Sequence, residues 1–178
     1  MPAQARPAPE IRVRRRPGEL SRGILILDGQ PIRVALGRGG VLANKFEGDG
    51  ATPRGTFRPL RLWWRADRHF RPTTLLPARP IGPADGWCED PAHRSYNRPV
   101  LLSAASGADR LARADHLYDF IIEIDHNARP RVARRGSAVF LHLARPGFGP
   151  TAGCVAMTKS AMLRLLARIG PRTKIVIG

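Results

Sequence analysis

Thiols are scarce in this chain of 178 residues: Cys88 and Cys154 are the only two. Two cysteines cannot build a zinc site alone, and no CxxC or HExxH spacing accompanies them, so no metal is expected. They could pair as one disulfide, and Cys154 would then be no nucleophile while oxidised. Aromatics are also few, 6% of residues, so the core should be mainly aliphatic. No P-loop occurs, and no GxGxxG precedes a helix, which excludes the common nucleotide-binding loops. No stretch approaches the ~18 apolar residues of a membrane span. The N-terminal MPAQARPAPEIRVRRRPGEL carries positive charge with no apolar run behind it, so no secretory signal is visible. Acidic residues are outnumbered, 14 against 30 Lys and Arg, for a formal charge of +16. Such a surface attracts polyanions: nucleic acid, anionic lipid, or an acidic polymer such as a cell wall.

What is present suits one domain. The hydrophobic share of 43% argues against general disorder. Residues 1–21 read as a flexible basic tail and 22–178 as a single folded domain. Two apolar runs, Ile24–Leu27 and Ile32–Leu36, flank Asp28-Gly29 as in a β-hairpin, with Gln30-Pro31 lengthening the turn. A glycine-punctuated loop then leads to a strand near 57–64. Residues 66–116 show little periodicity and read as short elements and loops bordering a site. DFIIEID at 119–125 and SAVFLHL at 137–143 read as strands. In the second, Val139, Leu141 and Leu143 share one face while Ala138, Phe140 and His142 share the other. Thr158 or Ser160 can cap a helix whose Met162, Leu165, Leu166 and Ile169 form one apolar stripe, stopped by Gly170-Pro171. TKIVIG supplies a last strand. The fold class is therefore mainly β, sandwich-like, with a few short helices.

The chemistry concentrates late in the chain. Cys154 follows Thr151-Ala152-Gly153 and comes after a lone histidine, His142. A free thiol is only a few per cent thiolate at neutral pH, so a nucleophilic cysteine needs a base, and an imidazole can serve. The intervening ARPGFGP is turn-rich and can bring the chain back. Gly153 allows a close backbone approach or positive φ, and amides of such a turn can stabilise an oxyanion. A buried packing cysteine beside a hydrogen-bonded strand histidine is the alternative from spacing alone.

Three segments resemble one family. GSAVFLHLARPGFGPTAGCVAM at 136–157 is similar to the signature of the L,D-transpeptidase (YkuD-type) catalytic domain, where a histidine precedes [Ser/Thr]-x-Gly-Cys. GDGATPRGTF at 48–57 and YDFIIEIDHN at 118–127 resemble two further motifs, in the family's order. The resemblance spans roughly residues 22–178. It implies that Cys154 is the nucleophile, His142 the general base, and Gly153 part of the oxyanion turn that Thr151 helps to hold. It also implies acyl transfer without a cofactor: release of D-alanine from a peptidoglycan stem, then attack of an acceptor stem amine on the thioester to form a cross-link. Two positions depart from the pattern, Ala152 where the family often has His and Ala156 where it often has Arg. Arg145 could then hold a substrate carboxylate, or be a solvated loop cation.

Other residues are weaker candidates. His116, just before LYDF, and Tyr118 are candidates for the border of the site. WCEDPAHRSYNRPV at 87–100 looks like a cleft-lining segment, with Tyr96 and Asn97 as substrate contacts. Trp87 equally suits a core, Cys88 a bystander thiol, and His69 and His93 the surface. Glu123 and Asp125 are no glycosidase pair, for no partner accompanies them. Water as acceptor would give an L,D-carboxypeptidase or a cross-link hydrolase with the same Cys-His site. A basic nucleic-acid-binding module is the reading from another class. The few aromatics and the absence of a helix-turn-helix or RNP-like pattern stand against it, so no nucleic acid is expected as partner. The expected partner is the peptidoglycan stem peptide, and the substrate places the site of action in the periplasm or cell envelope.

Overall fold

The computed structural model describes residues 7–178. In chain order the strands are β1 (Glu10–Arg15), β2 (Arg22–Leu27), β3 (Gln30–Ala35), β4 (Val41–Leu42), β5 (Thr52–Pro53), β6 (Gly55–Phe57), β7 (Pro59–Trp64) and β8 (Ala78–Pro80). There follow β9 (Asp85–Cys88), β10 (Arg98–Leu101), β11 (Asp109–Arg110), β12 (Phe120–Ile124), β13 (Phe140–Leu143), β14 (Val155–Met157) and β15 (Lys174–Ile177). Helix α1 (Lys159–Leu166) lies between the last two strands. Ten strands form one curled mixed sheet in the order β6-β15-β1-β2-β3-β14-β13-β12-β7-β8. A second sheet, β10-β9-β11, belongs to the segment expected to hold short elements near the site.

The main sheet is covered on both faces, which makes the fold mainly β and sandwich-like. On one face Leu25, Val34, Leu62, Ile122, Leu141 and Val155 pack with the helix stripe Met162, Leu165, Leu166 and Ile169. Burying each such side chain contributes about 1.5–3 kcal/mol. On the other face Trp63, Ile121, Phe140 and Cys154 pack with Trp87 of β9 and Leu111, so the small sheet closes that side. Strand β12 is buried along its whole length, as a strand between two cores must be. Thr158 caps α1, its Oγ1 accepting from Ala161 N at 3.3 Å.

Two expectations are corrected. The hairpin turn is not lengthened: Leu27 pairs with Gln30, and Pro31 lies within β3 opposite Ile26. Asp28 and Gly29 both have positive φ, 49° and 76°, the two-residue turn whose twist matches the flanking strands. Nor do residues 7–21 behave as a tail. Residues 1–6 lie outside the described residues, but β1 sits within the main sheet between β15 and β2, with Ile11 and Val13 fully buried. Ala8 N donates to Arg168 O at 2.6 Å and Thr173 Oγ1 donates to Ala8 O at 2.8 Å. The alternation of Ile11 and Val13 with Arg12, Arg14 and Arg15 is a half-buried strand pattern that the basic composition obscured.

Candidate active site

Strands β13 and β14 are parallel neighbours, with Leu141 opposite Val155 and His142 opposite Ala156. Continuing that register brings Cys154 alongside Phe140. The connection is the expected turn-rich stretch: a 3-10 turn at Pro146–Phe148, with Gly147 at φ 78°. The strand periodicity then puts Ala138, Phe140 and His142 on the face that carries Cys154, while Val139, Leu141 and Leu143 enter the opposite core.

The turn before Cys154 is held from three directions. Thr151 Oγ1 donates to Cys154 O at 2.7 Å and accepts from Gly153 N at 3.1 Å. Gly153 has φ 141°, and a Cβ there would lie 2.8 Å from Ala51 O. The GDGATP segment therefore forms the floor on which the cysteine turn rests. Asp49 organises that floor: its carboxylate accepts from Lys45 Nζ at 2.5 Å, Phe46 N at 2.7 Å and Ala51 N at 2.8 Å. These bonds hold its pKa below the usual range against the opposing effect of burial. Thr52 Oγ1 accepts from Gly37 N at 2.8 Å, and Gly37 bridges to Thr151.

Cys154 and His142 open into one cleft of about 420 Å³. The thiol donates to Ala138 O at 3.2 Å and accepts from Phe140 N at 3.3 Å. Burial pushes its pKa up to about 12. Burial lowers the imidazole of His142 to about 4. The resting pair is thus a neutral thiol and a neutral ring. His142 Nδ1 lies 2.9 Å from Leu143 O. A carbonyl only accepts, so Nδ1 carries the proton and Nε2 keeps its lone pair. Tyr118 packs edge-on against His142, ring centroids 5.3 Å apart, and its hydroxyl donates to Asp109 at 2.9 Å.

Of the residues singled out from the sequence, Cys154, His142, Gly153, Thr151, Arg145 and Tyr118 line this cleft. Tyr96 and Asn97 do not; both stand behind its wall. Asn97 Oδ1 accepts from Trp87 Nε1 and Ala138 N, and its Nδ2 donates to His126 O and Asn127 O, so its amide is consumed by the fold. The Tyr96 hydroxyl donates to Glu47 and accepts from Gly136 N. His116 and His69 both bond the buried Asp119 outside the cleft. Cys88 and Cys154 are free thiols, not a disulfide. No group of three or more His, Cys, Asp or Glu among the described residues could hold a metal ion.

Several cleft residues escaped notice in the sequence. Lys45, Glu47 and Arg38 arrive from the loop around the GDGATP segment, Glu89 from the end of β9, and Asp109 and Arg113 from the segment before β12. Desolvation, then Asp109 and Glu47, raise the pKa of Glu89. Only the four-residue spacing of Lys45, just ahead of the motif, and Asp49 within it offered a signal. At the mouth, Arg38 and Arg145 are exposed and make no ion pair among the described residues.

The match to known proteins decides the family. Residues 19–177 match YkuD, the L,D-transpeptidase catalytic domain. The chain belongs to the YkuD L,D-transpeptidase family. An L,D-transpeptidase from Mycobacterium smegmatis aligns with 94% of this chain and 58% of its own, at 12% identity and a TM-score of 0.46. This YkuD domain thus spans 58% of that structure's length, and its family membership rests on the sequence match. No curated protein matches it. No helix among the described residues is long and apolar enough to cross a membrane.

Proposed function

We propose that this domain is a peptidoglycan L,D-transpeptidase acting by cysteine acyl transfer. The observation that carries the reading is the shared cleft of Cys154 and His142, with Nδ1 tied to Leu143 O and Nε2 available as a base. The Cys154 sulfur attacks the carbonyl of the L-centre of diaminopimelate in a tetrapeptide stem while His142 Nε2 takes the thiol proton. Because thiol and ring both rest neutral, proton transfer accompanies attack rather than preceding it. The Gly153 N–H is already bonded to Thr151, which leaves the Cys154 N–H as the turn's donor to the developing oxyanion.

The tetrahedral intermediate collapses to a thioester. Its C–N bond breaks, and terminal D-alanine departs with the proton from His142. An acceptor stem amine then attacks the thioester, His142 takes its proton, and the thiol is restored with a new amide formed. Arg38 and Arg145 at the cleft mouth suit stem carboxylates, and the cell envelope is where such stems lie.

Intact-protein mass spectrometry after incubation with a carbapenem tests the reading, because the family relation implies acylation of the nucleophile. An adduct on the wild type and none on Cys154→Ala is expected. A folded, reduced wild type that takes no adduct would overturn the assignment. Stem-peptide assays then separate amine from water as acceptor.

A further inference from the structure

A second groove, of about 780 Å³, lies behind the wall of the catalytic cleft. Its rim carries Arg61 of β7, Arg98 of β10, and Arg129 and Arg131 from the loop after β12. One carboxylate faces them, Glu123, which is already engaged by Trp63 Nε1 at 2.8 Å and lies 3.1 Å from Arg61 Nε. Arg98, Arg129 and Arg131 make no ion pair among the described residues. The Nε of Arg131 donates to Asn97 O at 3.2 Å, which fixes the side chain and leaves its terminal nitrogens to the groove. The buried Arg61 Nε makes no hydrogen bond. Desolvation and then the neighbouring Arg98 and Arg129 lower the pKa of Arg131, outweighing the opposing pull of Glu123, as expected where cations outnumber the carboxylate beside them.

We propose that this groove is a second binding site, separate from the catalytic cleft, for the phosphate groups of an anionic polymer. The chemistry selects phosphate over carboxylate. A carboxylate offers two oxygens and satisfies one guanidinium fork, whereas a phosphate can accept from several converging forks at once. It also disfavours single-stranded nucleic acid. Of the rings lining the groove, Trp87 is 3% exposed and offers bases no face to stack on, and the half-buried His126 is held by Arg135 O at 3.1 Å from its Nε2 and by an edge-on contact with Phe57. The two sites share a partition. Asn97 Oδ1 accepts from Trp87 of the groove and from Ala138 N, and Ala138 O holds the Cys154 thiol. The site would tether the domain to a phosphate-bearing surface while the thiol stays free, and it does not depend on the reading of Cys154.

Calorimetric titration of the Cys154→Ala protein with inorganic tripolyphosphate tests this. Binding with a log–log salt slope of roughly −2 to −3 is expected, with acetate inert. R98Q/R129Q/R131Q should weaken binding about tenfold or more, whereas R12Q/R14Q/R15Q, with equal charge removed from β1, should leave it within about twofold. Equal losses in both triple variants would overturn the proposal in favour of diffuse surface charge. R98K/R129K/R131K keeps the charge without the forks and guards against misfolding; full affinity there would also overturn it. Saturating tripolyphosphate should not slow carbapenem acylation of the wild type, and competition would place the anion in the catalytic cleft instead. Single-stranded DNA binding far more tightly than a base-free phosphodiester of equal charge would assign the groove to nucleic acid and reject this reading.

Discussion

The regions around the two cysteines are almost equally buried yet built for different purposes. Cys88 is 1% exposed and Cys154 7%, and both are free. Cys88 is a strand residue opposite Arg98, and its carbonyl accepts from Asn97 N at 2.8 Å in ordinary strand-end pairing. Cys154 ends a turn whose glycine, threonine clamp and floor each exclude the common backbone alternatives. Burial does not separate a packing thiol from a candidate nucleophile here. The backbone that presents it does, together with an imidazole whose tautomer is set by a carbonyl.

The largest way to break that contrast is to remove each sulfur in turn. Cys154→Ala should abolish acylation, a loss of at least about a thousandfold. Cys88→Ala should leave the acylation rate within about twofold, as read by mass spectrometry over time. Gly153→Ala comes next. Its Cβ would meet Ala51 O at 2.8 Å with the backbone at φ 141°, so a stability loss of about 2–4 kcal/mol is expected in urea unfolding, with slower acylation. Thr151→Val removes both clamp bonds and should cost about 1–3 kcal/mol, while Thr151→Ser should recover most of the rate.

The pH dependence sharpens the comparison further. His142 must be neutral to accept a proton, and its pKa is lowered to about 4. The acid limb of carbapenem acylation should therefore lie near pH 4, not near an ordinary histidine's 6.5. A limb near 6.5 would refute the buried neutral ring. The same shift has a stability consequence. Below the unfolded pKa the unfolded chain binds the proton first, so this contribution is present above pH ~6.5 and is lost as pH falls toward 4. The smallest expected effect is the cost of Cys88→Ala, about 1 kcal/mol, since it removes one small buried group and no hydrogen bond of its side chain.

Much of the site was legible because its signals are local. Thr151, Gly153 and Cys154 lie within one turn, and His142 is read from strand periodicity. The face split of Ala138–Leu143 followed from the two-residue repeat alone. Tyr96 and Asn97 misled because polarity in a loop-rich segment looks the same whether the groups meet substrate or meet the fold. Asn97 spends its whole amide on Trp87, Ala138, His126 and Asn127, partners whose nearness only folding creates. The basic N-terminal segment misled in the opposite sense, its two buried positions hidden among five arginines before residue 17.

The sequence by itself determined the strand-rich class, the helix with a cap at Thr158 or Ser160, the family motifs and the candidacy of Cys154 and His142. Each depends on residue type at short spacing, where backbone geometry leaves few options. The tertiary structure alone decided that β1 joins the main sheet and that the GDGATP floor lies beneath Gly153. It also decided that four arginines from three separate segments border one groove. Those are long-range contacts, and chain closure and packing, not local preference, select among the many that composition would allow.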